Sequence, residues 1–291
     1  MRSRPPFGVK VKISIASGKG GTGKTTVAVG LALAAKSAVL IDCDVEAPNC
    51  HIFLREESPK ISDVFVPVPR VNESKCTFCG TCARVCVFNA LAIAGRKIIL
   101  FEKLCHGCGA CVVACPAGAV EEINRKIGVV ELDSNGELLV ITGRLDVGEA
   151  LAVPVIKAAK RLAPQNGLTF IDCAPGTSCT MVEAVKGSDL CILVTEPTPF
   201  GLHDLQMAVD TLEELRIPAV VVVNRSDGRN ENLKEFCSAR GLQIVAELPL
   251  DRRAAEAYSK GKHPLLELND WKHIFDELLN TVIQTLQDKF G

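Results

Sequence analysis

Ten consecutive residues, Ser17-Gly18-Lys19-Gly20-Gly21-Thr22-Gly23-Lys24-Thr25-Thr26, constrain this chain more than any other stretch. From Gly18 to Thr25 they fit the phosphate-binding template G-x-x-x-x-G-K-[ST]. An apolar, β-branched run from Val9 to Ala16 precedes them and predicts a buried strand. An Ala/Val/Leu-rich pattern from Thr25 to Lys36 predicts a helix after them. Strand, glycine loop and helix start then aim backbone N–H groups and the positive helix end at an anion. Gly18, Gly20, Gly21, Thr22, Gly23, Lys24, Thr25 and Thr26 are therefore the predicted nucleotide-binding residues. Lys24 would reach the β- and γ-phosphates, and Thr25 would hold Mg²⁺ through its hydroxyl.

The remaining pattern alternates. Strands are predicted at Ser37–Asp42, Glu137–Thr142, Leu168–Asp172, Leu190–Thr195, Ala219–Asn224 and Gln243–Ala246. Helical patterns cover His51–Leu54, Gly148–Leu162, the stretch after Cys179, Leu202–Leu215, Glu231–Arg240, Arg252–Lys260 and Asp270–Lys289. Such alternation predicts right-handed βαβ units and an α/β fold, its mainly parallel sheet covered by helices on both faces. Ligands then bind at the carboxyl ends of the strands, where the glycine loop, Asp44, Asp172 and Asn224 fall. The last helix has one broad apolar face, from Trp271 to Leu286. Its polar face carries Asp276, Glu277 and Asp288 where an interfacial helix carries Lys and Arg, which predicts packing on the sheet and no stable membrane association.

Between these elements the composition shifts. Val64-Phe65-Val66-Pro67-Val68-Pro69 reads as extended and excludes a helix interior. Eight of the fourteen cysteines then fall between Cys76 and Cys115. They form two runs, Cys76-x-x-Cys79-x-x-Cys82-x-x-x-Cys86 and Cys105-x-x-Cys108-x-x-Cys111-x-x-x-Cys115-Pro116, offset by 29 residues. This is the spacing of a bacterial two-cluster ferredoxin, in which the fourth cysteine of each run ligates the other cluster. Cys76, Cys79, Cys82 and Cys115 are thus assigned to one [4Fe-4S] cluster, and Cys105, Cys108, Cys111 and Cys86 to the other. Zinc is the competing metal for four-cysteine sites, but it rarely needs two interlocked runs. Val87 stands where the template has proline. Residues 67–125 are read as an inserted, bacterial-ferredoxin-like α+β domain, with 1–66 and 126–291 as the two parts of the nucleotide-binding domain.

A net charge of −1 and 4% aromatic residues give no case for nucleic acid. Arg2 and Arg4 precede no cleavable apolar segment, and no apolar run is long enough to span a bilayer. Fourteen cysteines in a chain with these features point to metal chemistry in a reducing cytoplasm.

Gly18-Lys19-Gly20-Gly21-Thr22-Gly23-Lys24-Thr25-Thr26 resembles the deviant phosphate loop of the MinD/ParA/Mrp and nitrogenase iron-protein ATPases. The resemblance implies that Lys19 acts in trans and that ATP drives homodimerisation. Val39-Leu40-Ile41-Asp42-Cys43-Asp44 is similar to the family's first switch. By that match Asp44 orients the attacking water and Asp42 supports Mg²⁺. Phe170-Ile171-Asp172-Cys173-Ala174-Pro175-Gly176 resembles the second switch, with Asp172 near Mg²⁺ and the Gly176 backbone sensing the γ-phosphate. Asn224 matches the adenine-reading position, and Pro249 falls where relatives flank the base.

The whole pattern resembles the MinD-superfamily ATPases that carry an inserted ferredoxin domain. ATP/ADP, Mg²⁺ and two [4Fe-4S] clusters are the implied cofactors. Cys179 lies at the spacing of a cluster cysteine in the nitrogenase iron protein, but the second cysteine of that site has no counterpart. An extra metal or partner site and a small buried hydrophobe both remain open for it. Three functions follow. The first is an ATP-gated electron-transfer dimer acting on an unidentified redox protein. The second is a metal-cluster assembly or delivery ATPase acting on a cluster recipient. The third is a positioning ATPase with structural clusters.

Overall fold

The computed structural model describes residues 10–54, 59–136 and 138–290. Val9 and Glu137, the predicted first residues of two strands, lie outside them, as do Arg2 and Arg4. In chain order the first half runs β1 (Lys10–Ala16), α1 (Lys24–Ala35), β2 (Ala38–Asp42), α2 (His51–Leu54), β3 (Lys60–Val71), α3 (Thr81–Arg84), β4 (Leu91–Ala94), β5 (Lys97–Leu100), α4 (Ala110–Val113), β6 (Val120–Asn135) and β7 (Leu138–Leu145). The second half runs α5 (Ala152–Arg161), β8 (Gly167–Asp172), α6 (Cys179–Val185), β9 (Leu190–Thr195), α7 (Pro199–Glu214), β10 (Ala219–Ser226), α8 (Glu231–Ala239), β11 (Ile244–Pro249), α9 (Arg252–Ser259), α10 (Pro264–Glu267) and α11 (Asn269–Phe290).

Strands too apolar to meet water on either face set the centre. β2 and β9 are buried at every residue. One sheet results, in the order β11-β10-β9-β1-β8-β2-β7-β6-β3. Pairing is parallel from β11 to β7 and antiparallel from β7 through β6 to β3. Helices α5 to α8 cover one face over Ile41, Ile141, Leu193 and Val221. Helices α1 and α9 to α11 cover the other over Ile13, Ile15, Phe170 and Ile192. The α/β architecture with helices on both faces is as the alternation predicts.

Several boundaries differ from expectation. Helix α5 begins at Ala152, because Glu149 accepts the amides of Ala150 and Leu151 and holds a turn before it. Helix α7 begins at Pro199, capped by Thr198, whose Oγ1 accepts from the Gly201 amide at 3.0 Å. The larger difference is at the sheet edge. The extended Val64–Pro69 stretch is the middle of a twelve-residue strand, β3. It pairs along its whole length with the sixteen-residue β6, which the charged sequence of residues 120–135 does not announce. The cysteine-rich stretch is therefore carried on a two-stranded antiparallel ribbon, and β6 pairs at its other end with β7.

The apolar face of α11 is occupied. Trp271, Phe275, Leu278, Val282 and Leu286 are buried in the core that includes α1 and Leu248 of β11. His263 completes this layer with no exposure. Its Nε2 lies 2.8 Å from the Thr26 carbonyl oxygen, and its Nδ1 accepts the Leu265 amide at 3.2 Å. Nε2 is thus the protonated nitrogen of a neutral ring. Phe53 and Phe275 present ring contacts to it. Burial lowers its pKa from 6.5 to about 4, opposed by the bond to Thr26. Acid must charge this ring in the unfolded chain before it does so in the folded one. Its stabilising contribution is complete above pH 6.5 and is lost as pH falls toward 4. Denaturant titrations between pH 7.5 and 4 should show a loss of about 3 kcal/mol from this group. A His263→Gln variant should lose that much less over the same range.

Candidate functional site

The carboxyl ends of β1, β2, β8 and β10 converge on the loop from Ser17 to Gly23. The loop is shaped from several directions. Ser17 Oγ donates to the Lys19 carbonyl at 2.6 Å, and the Gly176 amide donates to the Ser17 carbonyl at 3.0 Å. Asn224 Nδ2 donates to the Thr22 carbonyl at 2.7 Å. Gly23 has φ +96°, and a Cβ there would stand 2.2 Å from Asn224 Nδ2. At Gly18 a Cβ would stand 2.0 Å from the Asp204 carbonyl oxygen. Both glycines are dictated by close neighbours, and Gly23 also by its left-handed backbone. The buried Thr22 hydroxyl has no hydrogen-bond partner.

Helix α1 starts at Lys24, so the loop's last residues lie at a helix N-terminus. Lys24 is buried. Thr25 Oγ1 donates to Asp172 Oδ2 at 2.6 Å. The other oxygen of Asp172, Oδ1, is buried and has no hydrogen-bond partner. A hydroxyl and a half-satisfied carboxylate side by side suit a divalent cation of the Mg²⁺ kind, which takes oxygen ligands.

Asp42 lies next to Asp172 and is fully buried. Its Oδ1 accepts the Asp44 amide at 3.1 Å, and its Oδ2 accepts the amides of Asn49 and Cys50 at 2.9 and 3.0 Å. Asp42 therefore shapes the loop after β2. Cys50 Sγ donates to Asp172 Oδ2 at 3.5 Å. Burial raises the pKa of Asp42. Burial and then the neighbouring Asp42 push Asp172 up to about 7, while the Thr25 hydroxyl and Lys24 act downward. Asp44 is half-buried and is pushed up to about 6 by burial, then by Asp42.

Lys19 forms an ion pair with Glu196 at 3.3 Å, and Arg225 shares that carboxylate at 2.5 Å. Asn224 lies near the end of β10, and Pro249 ends the adjacent β11, opposite Ser226 in register and exposed. Cys179 is the first residue of α6 and is exposed rather than a buried hydrophobe.

The eight clustered cysteines fall in the stretch that joins β3 to β6, and the second run packs against Pro67 and Pro69 of that ribbon. Cys86, Cys105, Cys108 and Cys111 line one cavity together with Pro67, Phe88 and Glu122. The four cysteines are those grouped from the spacing. Cys82 is within electrostatic reach of Cys76 and Cys115. Cys79 is exposed, and hydrogen bonding by Thr81 lowers its thiol to about 7. The backbone repeats with the sequence. Phe78 and Gly107, Gly80 and Gly109, and Asn89 and Gly118 all have positive φ, each pair 29 residues apart. The Ala90 amide donates to Cys86 Sγ and the Ala119 amide to Cys115 Sγ, both at 3.3 Å. His106 stacks on Phe88 with ring centroids 3.9 Å apart, beside Cys105.

Residues 13–265 match the model of the CobQ/CobB/MinD/ParA nucleotide binding domain. The chain belongs to this family. It is a MinD/ParA-type P-loop ATPase by fold and by sequence. It is 32% identical over 277 residues to the uncharacterized protein MJ0579 of Methanocaldococcus jannaschii, covering 93% of this chain and 97% of that one. It is 24% identical over 277 residues to the iron-sulfur cluster carrier protein of Aquifex aeolicus, covering 88% and 62%. The septum site-determining protein MinD of Pyrococcus horikoshii, complexed with Mg-ADP, superimposes with a TM-score of 0.59 at 18% identity, covering 94% and 96%. That likeness is one of fold. Among the described residues no helix is long and apolar enough to cross a membrane.

Within this ATPase, four participants carry no local sequence signal. Glu196, just after β9, pairs with Lys19, and Arg225 on β10 shares that carboxylate. Cys50 reaches Asp172 across 122 residues. His263 reaches the start of α1 from the far end of the chain. Near neutrality the buried Asp42–Asp172 pair retains a proton that a divalent cation must displace. Mg²⁺-dependent ADP binding, followed by calorimetry, should therefore weaken about tenfold per unit as pH falls below about 7. Asp172→Asn should weaken Mg²⁺ dependence and flatten that slope.

Proposed function

We propose that this MinD/ParA-type ATPase is an ATP-gated electron-transfer protein. Residues 67–125 form its ferredoxin-like domain, and residues 1–66 and 126–291 its ATPase domain. Cys76, Cys79, Cys82 and Cys115 hold one [4Fe-4S] cluster, and Cys86, Cys105, Cys108 and Cys111 the other. The observation that carries this reading is the cavity on which Cys86 joins Cys105, Cys108 and Cys111, because only interlocked runs need that exchange. Bound there, such clusters supply one-electron transfer. The cysteine thiolates hold them, and the amides of Phe78, Ala90 and Ala119 donate to sulfur.

On the nucleotide side, the Gly18–Thr26 loop and Lys24 hold the phosphates, and Asn224 and Pro249 flank the base. Thr25 and Asp172, with Asp42 behind them, place Mg²⁺, which neutralises phosphate charge. Asp44 orients the attacking water as a carboxylate. Lys19 leaves Glu196 and reaches the nucleotide of a second copy, so ATP closes a homodimer. Loss of the Gly176–Ser17 hydrogen bond frees the Gly176 amide for the γ-phosphate.

A bonded route supports coupling between the two ends. The Leu145 amide donates to the Val45 carbonyl beside Asp44 at 2.9 Å. The Asp146 amide donates to the Ile127 carbonyl at 2.9 Å. Arg125, on β6, pairs with the well-buried Glu149 of the loop after β7. Movement of the first switch is thereby handed to the strand that carries the cysteines. Cluster delivery is the second reading, favoured by the carrier relatives and by the exposure of Cys179 beside the second switch.

Anaerobically purified protein should contain roughly eight iron atoms per chain, and Cys86→Ser should lose iron from the cluster of the second run. Lys19→Ala should bind ATP yet remain monomeric by light scattering, with hydrolysis reduced at least tenfold. An iron content unaffected by Cys86→Ser, or a dimer formed without Lys19, would refute the respective half of the proposal.

A further inference from the structure

Asp42, Cys50 and Asp172 bring two oxygens and one sulfur within 4.8 Å of one another, each residue buried. They come from three places: the end of β2, the residue before α2 and the end of β8. Thr25 Oγ1 and Cys50 Sγ converge on the same oxygen, Asp172 Oδ2. A thiol packed as a small hydrophobe explains one weak hydrogen bond. The second oxygen of this fully buried carboxylate, Asp172 Oδ1, has no partner and is open to whichever cation enters, hard or soft.

We propose that, with no nucleotide bound, Asp42, Cys50 and Asp172 form a mixed sulfur–oxygen cation site that takes a borderline-soft divalent cation of the Zn²⁺ class, which then competes with the nucleotide's Mg²⁺ for Asp172. Magnesium demands near-octahedral oxygen coordination and keeps its water, so a thiolate is a poor ligand for it. Zinc accepts cysteine and carboxylate together, in four-coordinate sites that tolerate one open position. Three protein donors meet that need, and a water oxygen can supply the fourth. The thiol proton leaves as the cation binds.

Asp42 and Cys50 flank the loop of residues 43–49, which carries Asp44. A cation held by both and by Asp172 fastens that loop to β8. The site is therefore a point at which a soft metal ion arrests the first switch. This inference concerns the nucleotide domain and does not depend on what the eight clustered cysteines hold, provided they are filled first.

The test adds one equivalent of Zn²⁺ to anaerobically iron-loaded, nucleotide-free protein and records the zinc K-edge absorption fine structure. The expected first shell is one sulfur at about 2.3 Å with oxygens completing it. In Cys50→Ser that sulfur should vanish, and the Zn²⁺ affinity measured by calorimetry should fall at least tenfold. A first shell without sulfur, or one of four sulfurs, overturns the proposal. Equal Zn²⁺ affinity in wild type and Cys50→Ser overturns it as well. Should Cys50→Ser fail to fold, the wild-type shell decides alone.

Discussion

Two carboxylates side by side in a dry interior are costly, and much of the molecule is arranged around making them tolerable. Asp42 and Asp172 end neighbouring parallel strands with no exposure. Neither can hold a full charge there without nearby donors. The loop after β2 turns back so that three amides reach Asp42. Helix α1 begins where its Thr25 hydroxyl can meet Asp172. The buried Lys24 supplies positive charge to both Asp44 and Asp172. The shape of the nucleotide loop, the position of Asp44 and the demand for a cation thus share one electrostatic origin. His263 anchors the same helix from behind through the Thr26 carbonyl.

The same pair makes the loop of residues 43–49 sensitive to local charge. That loop is held by hydrogen bonds to one carboxylate, so a change in charge beside Asp42 alters what holds it. The next residue, Val45, bonds to Leu145 at the end of β7, and β7 pairs with β6. Beyond that point β6 continues with β3 as a ribbon, and the cysteines lie in the stretch that joins the two strands, the second run packed against Pro67 and Pro69. The buried Arg125–Glu149 pair ties ribbon to core at the place where they part. Removing one partner of such a pair leaves a charge stranded, which is strongly destabilising.

Much of this was legible in the sequence because it is local. The phosphate loop is a contiguous motif with the right flanks. The buried strands are continuous apolar runs. The cysteine runs announce themselves by a fixed offset, and the cavity shared by Cys86 and the second run follows from it. Residues 120–135 were not legible. Glu121, Glu122, Asn124, Arg125 and Lys126 interrupt any apolar run, because a ribbon projecting from the core meets water along much of its length. The partners of Lys19 and Asp172 were equally hidden. Glu196 and Cys50 reach them only after the sheet has assembled, and no periodicity encodes a contact between distant strands.

The proposed gating requires that nucleotide state and cluster energetics be linked through the ribbon. The most direct measurement is an anaerobic redox titration, followed by electron paramagnetic resonance, with ADP and then with a non-hydrolysable ATP analogue. The account predicts that the cluster potentials differ between the two nucleotides and that Glu149→Gln abolishes most of the difference. Identical potentials in wild-type protein with both nucleotides would contradict it.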